Sequence, residues 1–499
     1  MSAAPPQLPA VKGPQVGLAR GTLLVIGAEA LAFPAGLAAT ILLTRHLPAS
    51  QYGALALGLA TVAWLEWTVV SLFSRAGYKL VAEAADWQET AGAVVRSFAL
   101  AGLLVGLLLF AAAGLIAGLF GVPALTVVLR ILAVEIPLFA VAQAYRTVLV
   151  GRGWHGSRAT VAASRWTARA LLIAIGVLLG LSLPGLAVVI VAATAVELAL
   201  ARWRVGTGVP LIGVTALSMR RLLSLAAPLA ISAVCMRLFD RLDLFAIRMF
   251  GIPLETVAAY GVAQNLALAP GLLALAFVPA LIAALSARFA AGDVAGAHRT
   301  ATDSLRVGLL VLPAACLAAG GAPALVQTLF GADYIASGPL FAALVIGSTG
   351  ALMLSLASAI LVAAGRPRWT IVLAAPMVPA ALLGHLLVIP RAGAIGAAFV
   401  TAATSLGAAG VGCLAVRRLV GIPLPLKTLA RALVVGVAAY WAGASLLPEP
   451  GITALVGLVM LTAAAAAALV LAGELTLSER DRARRWMAAA LRSVRSALA

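Results

Sequence analysis

Charge is scarce in this chain. Of 499 residues only 10% are Asp, Glu, Lys or Arg, against 63% hydrophobic, and the mean hydropathy is +1.10. Acid is scarcer than base, 17 residues against 35, which leaves a formal net charge of +18. Lysine is nearly missing: Lys12, Lys79 and Lys427 stand beside 32 arginines. The three cysteines, Cys235, Cys316 and Cys413, lie far apart in apolar runs. Their spacing excludes a metal-ligand pattern, and they read as small packing residues. No glycine-rich loop ends in Lys-Ser or Lys-Thr, so nucleotide hydrolysis by this chain is not expected. No Ser/His/Asp grouping has positional support, and the polar connections are too short to house a catalytic domain. The chain is therefore not read as an enzyme, and no cofactor is expected. Short segments of alternating polarity, the mark of a bilayer barrel, are absent too.

What remains is long apolar runs, repeated. A soluble core cannot absorb that much apolar surface, so the fold class is an all-α integral membrane protein. Fourteen spans are expected, at roughly 21–44, 52–76, 92–120, 124–150, 159–181, 184–203, 220–250, 256–286, 300–320, 338–364, 369–389, 393–416, 429–447 and 452–474. Basic residues fall almost wholly on one side of that threading, from Lys12 and Arg20 through Arg75, Arg96, Arg146, Arg152, Arg158, Arg202, Arg220, Arg299, Arg366 and Arg417 to the tail arginines. The other side has Arg45, Arg248 and Arg391. The positive-inside rule then makes both termini cytoplasmic, in a multi-pass cytoplasmic (inner) membrane protein. In a soluble chain the basic excess would suggest nucleic acid; here it sets orientation, and no nucleic-acid partner is expected.

A weak repeat is visible. Thr44-Arg45-His46 precedes Tyr52-Gly53 at the second span, and Ile247-Arg248-Met249 precedes Tyr260-Gly261 at the eighth. Two six-helix lobes related as parallel repeats are expected, 1–204 and 220–420, joined by a cytoplasmic link at 205–219. Two additional helices (421–475) and a basic, roughly amphipathic tail (476–499) follow. That tail either lies on anionic headgroups or is a solvated segment that helps set orientation.

The charges within the spans are the candidate site. Each costs roughly 2.5–3.5 kcal/mol at mid-membrane on insertion scales. Arg237, Arg241 and Arg248 of the seventh span fall within about 40° of one another on a helix, with Asp240 and Asp243 on the flank. Arg158, Arg165 and Arg169 of the fifth span do the same, Arg165 and Arg169 lying roughly 10 and 16 Å deeper than Arg158. Together they would make a ladder of cationic sites. Arg130 and Glu135 of the fourth span point about 140° apart. Glu29, Glu66 and Glu197 are single acids in the first, second and sixth spans. Alternatives stay open: Arg165 and Arg169 snorkel to the surface, Arg241 and Asp243 form a purely structural pair, and Arg248 is an interfacial anchor. Glu29 and Glu66 either bind a coupling Na+ or H+ or balance a cavity arginine. His385 reads as a packed or hydrogen-bonded histidine. Pro34, Pro228, Pro270, Pro279, Pro376 and Pro379 interrupt helices and are static bends or bending points.

Four segments give the sequence a family resemblance: Leu43 to Gly53 (LTRHLPASQYG), Leu329 to Tyr334 (LFGADY), Ala364 to Arg368 (AGRPR) and Ile389 to Ala398 (IPRAGAIGAA), the last being the most specific. With them the chain resembles the polysaccharide-biosynthesis (Wzx-type) flippases of the multidrug/oligosaccharidyl-lipid/polysaccharide exporter superfamily. The resemblance implies a V-shaped pair of six-helix bundles alternating between inward- and outward-open states. It also implies polyprenyl-diphosphate-linked oligosaccharide as the substrate, moved to the outer leaflet for lipopolysaccharide or other surface polysaccharide assembly. Arginines are often the family's cavity lining, which makes Arg237, Arg241, Arg165, Arg169, Arg248 and Arg130 candidate substrate ligands. Glu29, Glu66, Asp240 and Asp243 are candidates for ion coupling or charge balance. A polysaccharide polymerase and glycosyltransferases are the implied partners. The alternatives are a cation-coupled multidrug exporter of the same superfamily and a peptidoglycan-precursor flippase.

Overall fold

A computed structural model describes residues 27–84, 86–206, 209, 237–447 and 449–474. Outside them lie Lys12, Arg20, most of the expected link at 205–219, the seventh span as far as 236 with Pro228 and Cys235, and the tail at 476–499. Among the described residues all regular structure is helical. Twelve helices are long and apolar enough to cross a membrane by length and composition. The longest such stretch, Arg368–Val420, has 53 residues, far more than one crossing needs. It folds back on itself: Gly393, inside the IPRAGAIGAA segment, has φ 58° and ψ −146°, a conformation open to glycine and strained for any other residue. The two arms then pack antiparallel, so that a Cβ added at Gly384 would lie 2.6 Å from Val400 and one at Gly396 would lie 2.7 Å from Val388. The expected count of fourteen is not established by the described residues, because the seventh span is described only from 237.

Prolines place the other breaks. Pro137 has no N–H for the Ala133 carbonyl, and the fourth span accordingly divides into Leu125–Ala133 and Glu135–Gly151. Pro313 opens Leu312–Gly320 after Val294–Leu309, and the Pro376 region separates Arg368–Ala374 from Met377–Val420.

Small residues set the closest packing, as expected where lipid supplies no hydrophobic drive between helices. Gly347 and Gly350 of Ser337–Ala363 meet Ala402 and Leu406 of the hairpin. Gly320 and Gly443 bring Leu312–Gly320 and Leu426–Leu446 into backbone contact. Leu426–Leu446 and Ile452–Leu471, the two additional helices, therefore rest on the ninth span.

The last helix is pinned at its end by Glu474, which is buried. Thr428 Oγ1 donates to its carboxylate at 2.5 Å, Arg306 Nε at 3.0 Å and Arg431 at 3.0 Å. Burial pushes this carboxyl up, but the hydrogen bonds from Thr428, Arg431 and Arg306 outweigh it and hold the group below the ordinary glutamate value. A depressed folded-state pKa stabilises the fold above the unfolded value and stops doing so as pH falls through the folded one. Glu474→Gln should therefore cost about 2 kcal/mol near neutrality. The gap in unfolding midpoint between the two proteins in detergent should close as pH drops below about 4. A gap independent of pH would show that the charge of Glu474 is not what holds the helix.

The amino-terminal helices and those from 237 onward meet along a seam at the Arg45 end. Arg45 donates to the carbonyls of Thr328 and Leu329 at 3.1 and 3.2 Å, and Tyr52 packs edge-on to Tyr334 at 6.2 Å. Two of the family segments, LTRHLPASQYG and LFGADY, thus touch each other. Gly53 lies against the backbone of Leu254, and a Cβ at Gly261 would lie 3.3 Å from Ala56. Arg248 closes the same end, donating to Phe120, Gly121 and Ile252 carbonyls at 2.6, 3.2 and 2.8 Å.

Candidate functional site

Five of the first six membrane helices direct charge toward one another. Gly27–His46 carries Glu29, Ala49–Glu83 carries Glu66, and Glu135–Gly151 carries Glu135 and Arg146. His155–Leu178 carries Arg158, Arg165 and Arg169, and Leu183–Val205 carries Thr194 and Glu197. The helix break before Pro137 puts Glu135 in a first turn, where the exposed N–H groups favour negative charge. Eleven residues on, Arg146 returns to within about 20° of the same face, three turns away.

Arg165 is the hub. Its guanidinium lies 3.5 Å from Glu66, 3.4 Å from Glu135 and 3.6 Å from Glu197, three acids from three helices. Its planar face sits 4.0 Å from the Phe139 ring centroid. Arg169, one turn further, is 4.0 Å from Glu135, and Thr194 donates to Glu135 at 2.8 Å. Arg146 bridges Glu197, at 3.4 Å, to Glu29, and Arg158 meets Glu29 at 3.4 Å. Side-chain exposure falls along this row, from 28% at Glu29 and 27% at Arg158 to 8% at Arg165 and 0% at Glu197. The row is thus accessible at its Arg158 end and enclosed at its centre. Four arginines and four glutamates make a formally balanced network inside the membrane, with the attraction between partners offsetting their desolvation.

The fifth-span stripe expected from spacing is therefore present, and its arginines are ion-paired within the amino-terminal half. Arg146, counted in the sequence among the basic residues of the cytoplasmic side, is buried and in register with Glu135. Arg130 is not brought to this group; it is exposed and stacks over Phe110 at 5.5 Å.

The seventh-span residues form a second group on the 237–249 helix. Arg237 pairs with Asp240 at 3.4 Å and lies 5.1 Å from the Trp67 ring, next to Glu66 in sequence. Arg241 is half-buried one turn on, and Arg248 is engaged with backbone carbonyls at the seam. Asp243 turns the other way and is buried. It accepts from Tyr260 Oη at 2.7 Å, Gln264 Nε2 at 2.9 Å, Thr401 Oγ1 at 3.2 Å and the Leu244 N–H at 2.8 Å. Tyr260 and Gln264 are one helical turn apart, a spacing the sequence shows, whereas Thr401 comes from the distant hairpin. His385, also buried on that hairpin, has an Nδ1 with no hydrogen-bond partner in this structure. Among the described residues no three His, Cys, Asp or Glu side chains gather as a metal site.

The comparisons with known proteins agree with this picture at the level of family and fold. No curated protein matches the sequence. Lipid II flippase MurJ in an inward closed conformation superposes with a TM-score of 0.74 at 13% identity, covering 89% of this chain and 97% of that one. An inward-facing multidrug resistance MATE family transporter of the MOP superfamily gives 0.65 at 16% identity, covering 80% and 98%. A MOP superfamily transporter from Pyrococcus furiosus, described by a binding pocket of reverse polarity, gives 0.54 at 15%, covering 81% and 96%. The family model described as polysaccharide biosynthesis protein matches residues 18–287, more than half of the chain, and the chain belongs to that family.

Proposed function

We propose that this protein is a flippase, moving polyprenyl-diphosphate-linked oligosaccharide from the cytoplasmic to the outer leaflet by alternating access without ATP hydrolysis. The carrying observation is the set of four arginines, Arg146, Arg158, Arg165 and Arg169, held inside membrane-spanning helices. A diphosphate diester bears two negative charges that cannot cross hydrocarbon bare. Guanidinium groups engage phosphoryl oxygens in bidentate pairs and stay protonated at any relevant pH. Arg158, near the accessible end, meets the headgroup first, and Arg165 and Arg169 receive it deeper. Arg237 and Arg241 supply cationic groups from the facing half. With the basic side cytoplasmic, the seam at Arg45 and Arg248 is the outer gate in its closed state. The family membership supports a glycan substrate, and guanidinium groups at successive depths support an anionic one.

The fold is shared with multidrug exporters, and one observation favours cation coupling as part of the cycle. Asp243 is surrounded by neutral donors, so its negative charge is left for a cation driven by the membrane gradient. We assign the directional drive to this carboxylate.

Surface glycan assembly tests the reading in cells. Arg169→Ala should reduce glycan output at least tenfold, with the protein present in the membrane at its normal level. The pair Arg237→Ala and Arg241→Ala should do the same. Lysine at these positions should rescue in part if charge suffices, and not at all if bidentate geometry is required. Normal glycan output in both alanine variants would remove the arginines from the transport path.

A further inference from the structure

Glu66 stands apart from the other acids of the arginine network. Glu135 has Arg165, Arg169 and the Thr194 hydroxyl. Glu197 has Arg146 as well as Arg165. Glu29 is held by Arg146 and Arg158. Glu66 has one ion-pair partner among the described residues, Arg165 at 3.5 Å, through Oε2. Its Oε1 is buried with no hydrogen-bond donor, and the residue is 4% exposed.

An anion that occupies Arg165 must take the place of a carboxylate. When it does, Glu135 keeps the Thr194 hydroxyl and shares Arg169 with the anion, and Glu197 keeps Arg146. Glu66 is left buried, ionised and unpaired, beside Glu135, Glu197 and the incoming negative charge. That arrangement is very costly, and a carboxyl group avoids it by taking a proton. The other cation near Glu66 is Arg169, which Glu135 already engages at 4.0 Å, and Arg237 lies against the neighbouring Trp67 and is paired with Asp240. The helix Leu254–Ala267 packs on Ala49–Glu83, and its Gln264 and Asn265 are engaged with Asp243 and Thr40.

We propose that Glu66 is the proton acceptor that couples protonation to anion binding at Arg165: each dianionic headgroup that docks there brings one proton onto the Glu66 carboxylate. One oxygen of Glu66 takes up a proton from buffered solvent, Arg165 stays protonated throughout, and its guanidinium exchanges a carboxylate oxygen for phosphoryl oxygens. Proton and anion therefore bind cooperatively and travel in the same direction through this site. An inward proton gradient acting here would oppose export, which places the drive for export at a different carboxylate. The inference rests on the flippase reading above.

The test uses the full chain in lipid nanodiscs and a diphosphate diester with short alkyl ends, a probe that does not itself titrate near neutrality. Binding is measured calorimetrically at about pH 6 and about pH 8, in buffers of different ionisation enthalpy, so that proton uptake is read from the unaltered protein. The expected result is an affinity that falls about tenfold per pH unit, with about one proton taken up per diester bound. Glu66→Gln should bind at least as tightly as the wild type at the lower pH, with the slope and the uptake both lost. Binding with no pH dependence or proton uptake in the wild type overturns the proposal, and so does a slope that survives in Glu66→Gln. No binding of the diester at either pH overturns the flippase reading itself and this proposal with it.

Discussion

Arg165→Ala should remove the folded protein from the membrane. The change leaves Glu66, Glu135 and Glu197 converging on a site with no central cation. Breaking a buried ion pair from one side costs about 3–5 kcal/mol, a large part of the stability a protein has to lose. The guanidinium also carries the stacking on Phe139. Arg165→Lys should lose less but still a measurable amount, because one ammonium cannot reach three carboxylates on three helices with a rigid fork. Adding Glu66→Gln to Arg165→Ala should restore part of the loss, because one of the stranded charges is gone. Monodispersity and unfolding midpoint in mild detergent measure each step. An Arg165→Ala protein as stable as the wild type would show that the network is not what holds these five helices together.

Gly53→Val should abolish transport by a different route, leaving the protein folded. A Cβ at this position runs into the Leu254 carbonyl oxygen, which is backbone and cannot turn aside. The helices Ala49–Glu83 and Leu254–Ala267 must then part at the Arg45 end, taking the Arg45 bonds to Thr328 and Leu329 with them. In the alternating-access cycle proposed above the closed seam is one of two required states, so excluding it shifts the population toward the state open at that end. A cysteine introduced in place of Ala56, which faces Gly261 across the seam, should be labelled by a membrane-impermeant thiol reagent at least tenfold faster in the valine background. The companion change Gly261→Ala should be milder, since its Cβ would lie 3.3 Å from a methyl group and a shift of a few tenths of an ångström relieves it. Unchanged labelling and transport in Gly53→Val would mean that the seam opens and closes elsewhere.

Both variants show what the sequence makes legible. Apolar runs too long for a soluble core dictate membrane helices, and the pairing of Pro390 with Gly393 marks a reversal in a run of 53 residues. The stripe of Arg158, Arg165 and Arg169 follows from helical spacing alone. What meets that stripe does not. Glu66 and Glu197 are 99 and 32 positions from Arg165, on other helices, and their rotation about their own axes is fixed by packing that no local pattern records. Glu135 and Arg146 carry a readable signal in their spacing of eleven residues, but Arg146 also fits the tally of basic residues near a membrane surface. Asp243 is similar: Tyr260 and Gln264 share a face four residues apart, whereas Thr401 arrives from a hairpin more than a hundred residues away. The seam is hidden for a further reason. A glycine in a membrane helix looks the same in sequence whether it faces lipid or, like Gly53, the backbone of another helix.

Translocation by the purified chain in sealed vesicles measures flippase activity without the rest of the cell. A polyprenyl-diphosphate-linked sugar is placed in the inner leaflet, and its headgroup is detected by an enzyme or lectin confined to the outside. The headgroup should appear outside at a rate proportional to the amount of protein, Arg169→Ala should remove this activity, and an organic-cation drug in the same vesicles should stay where it is. Transport of the drug together with an unmoved lipid diphosphate would contradict the flippase reading.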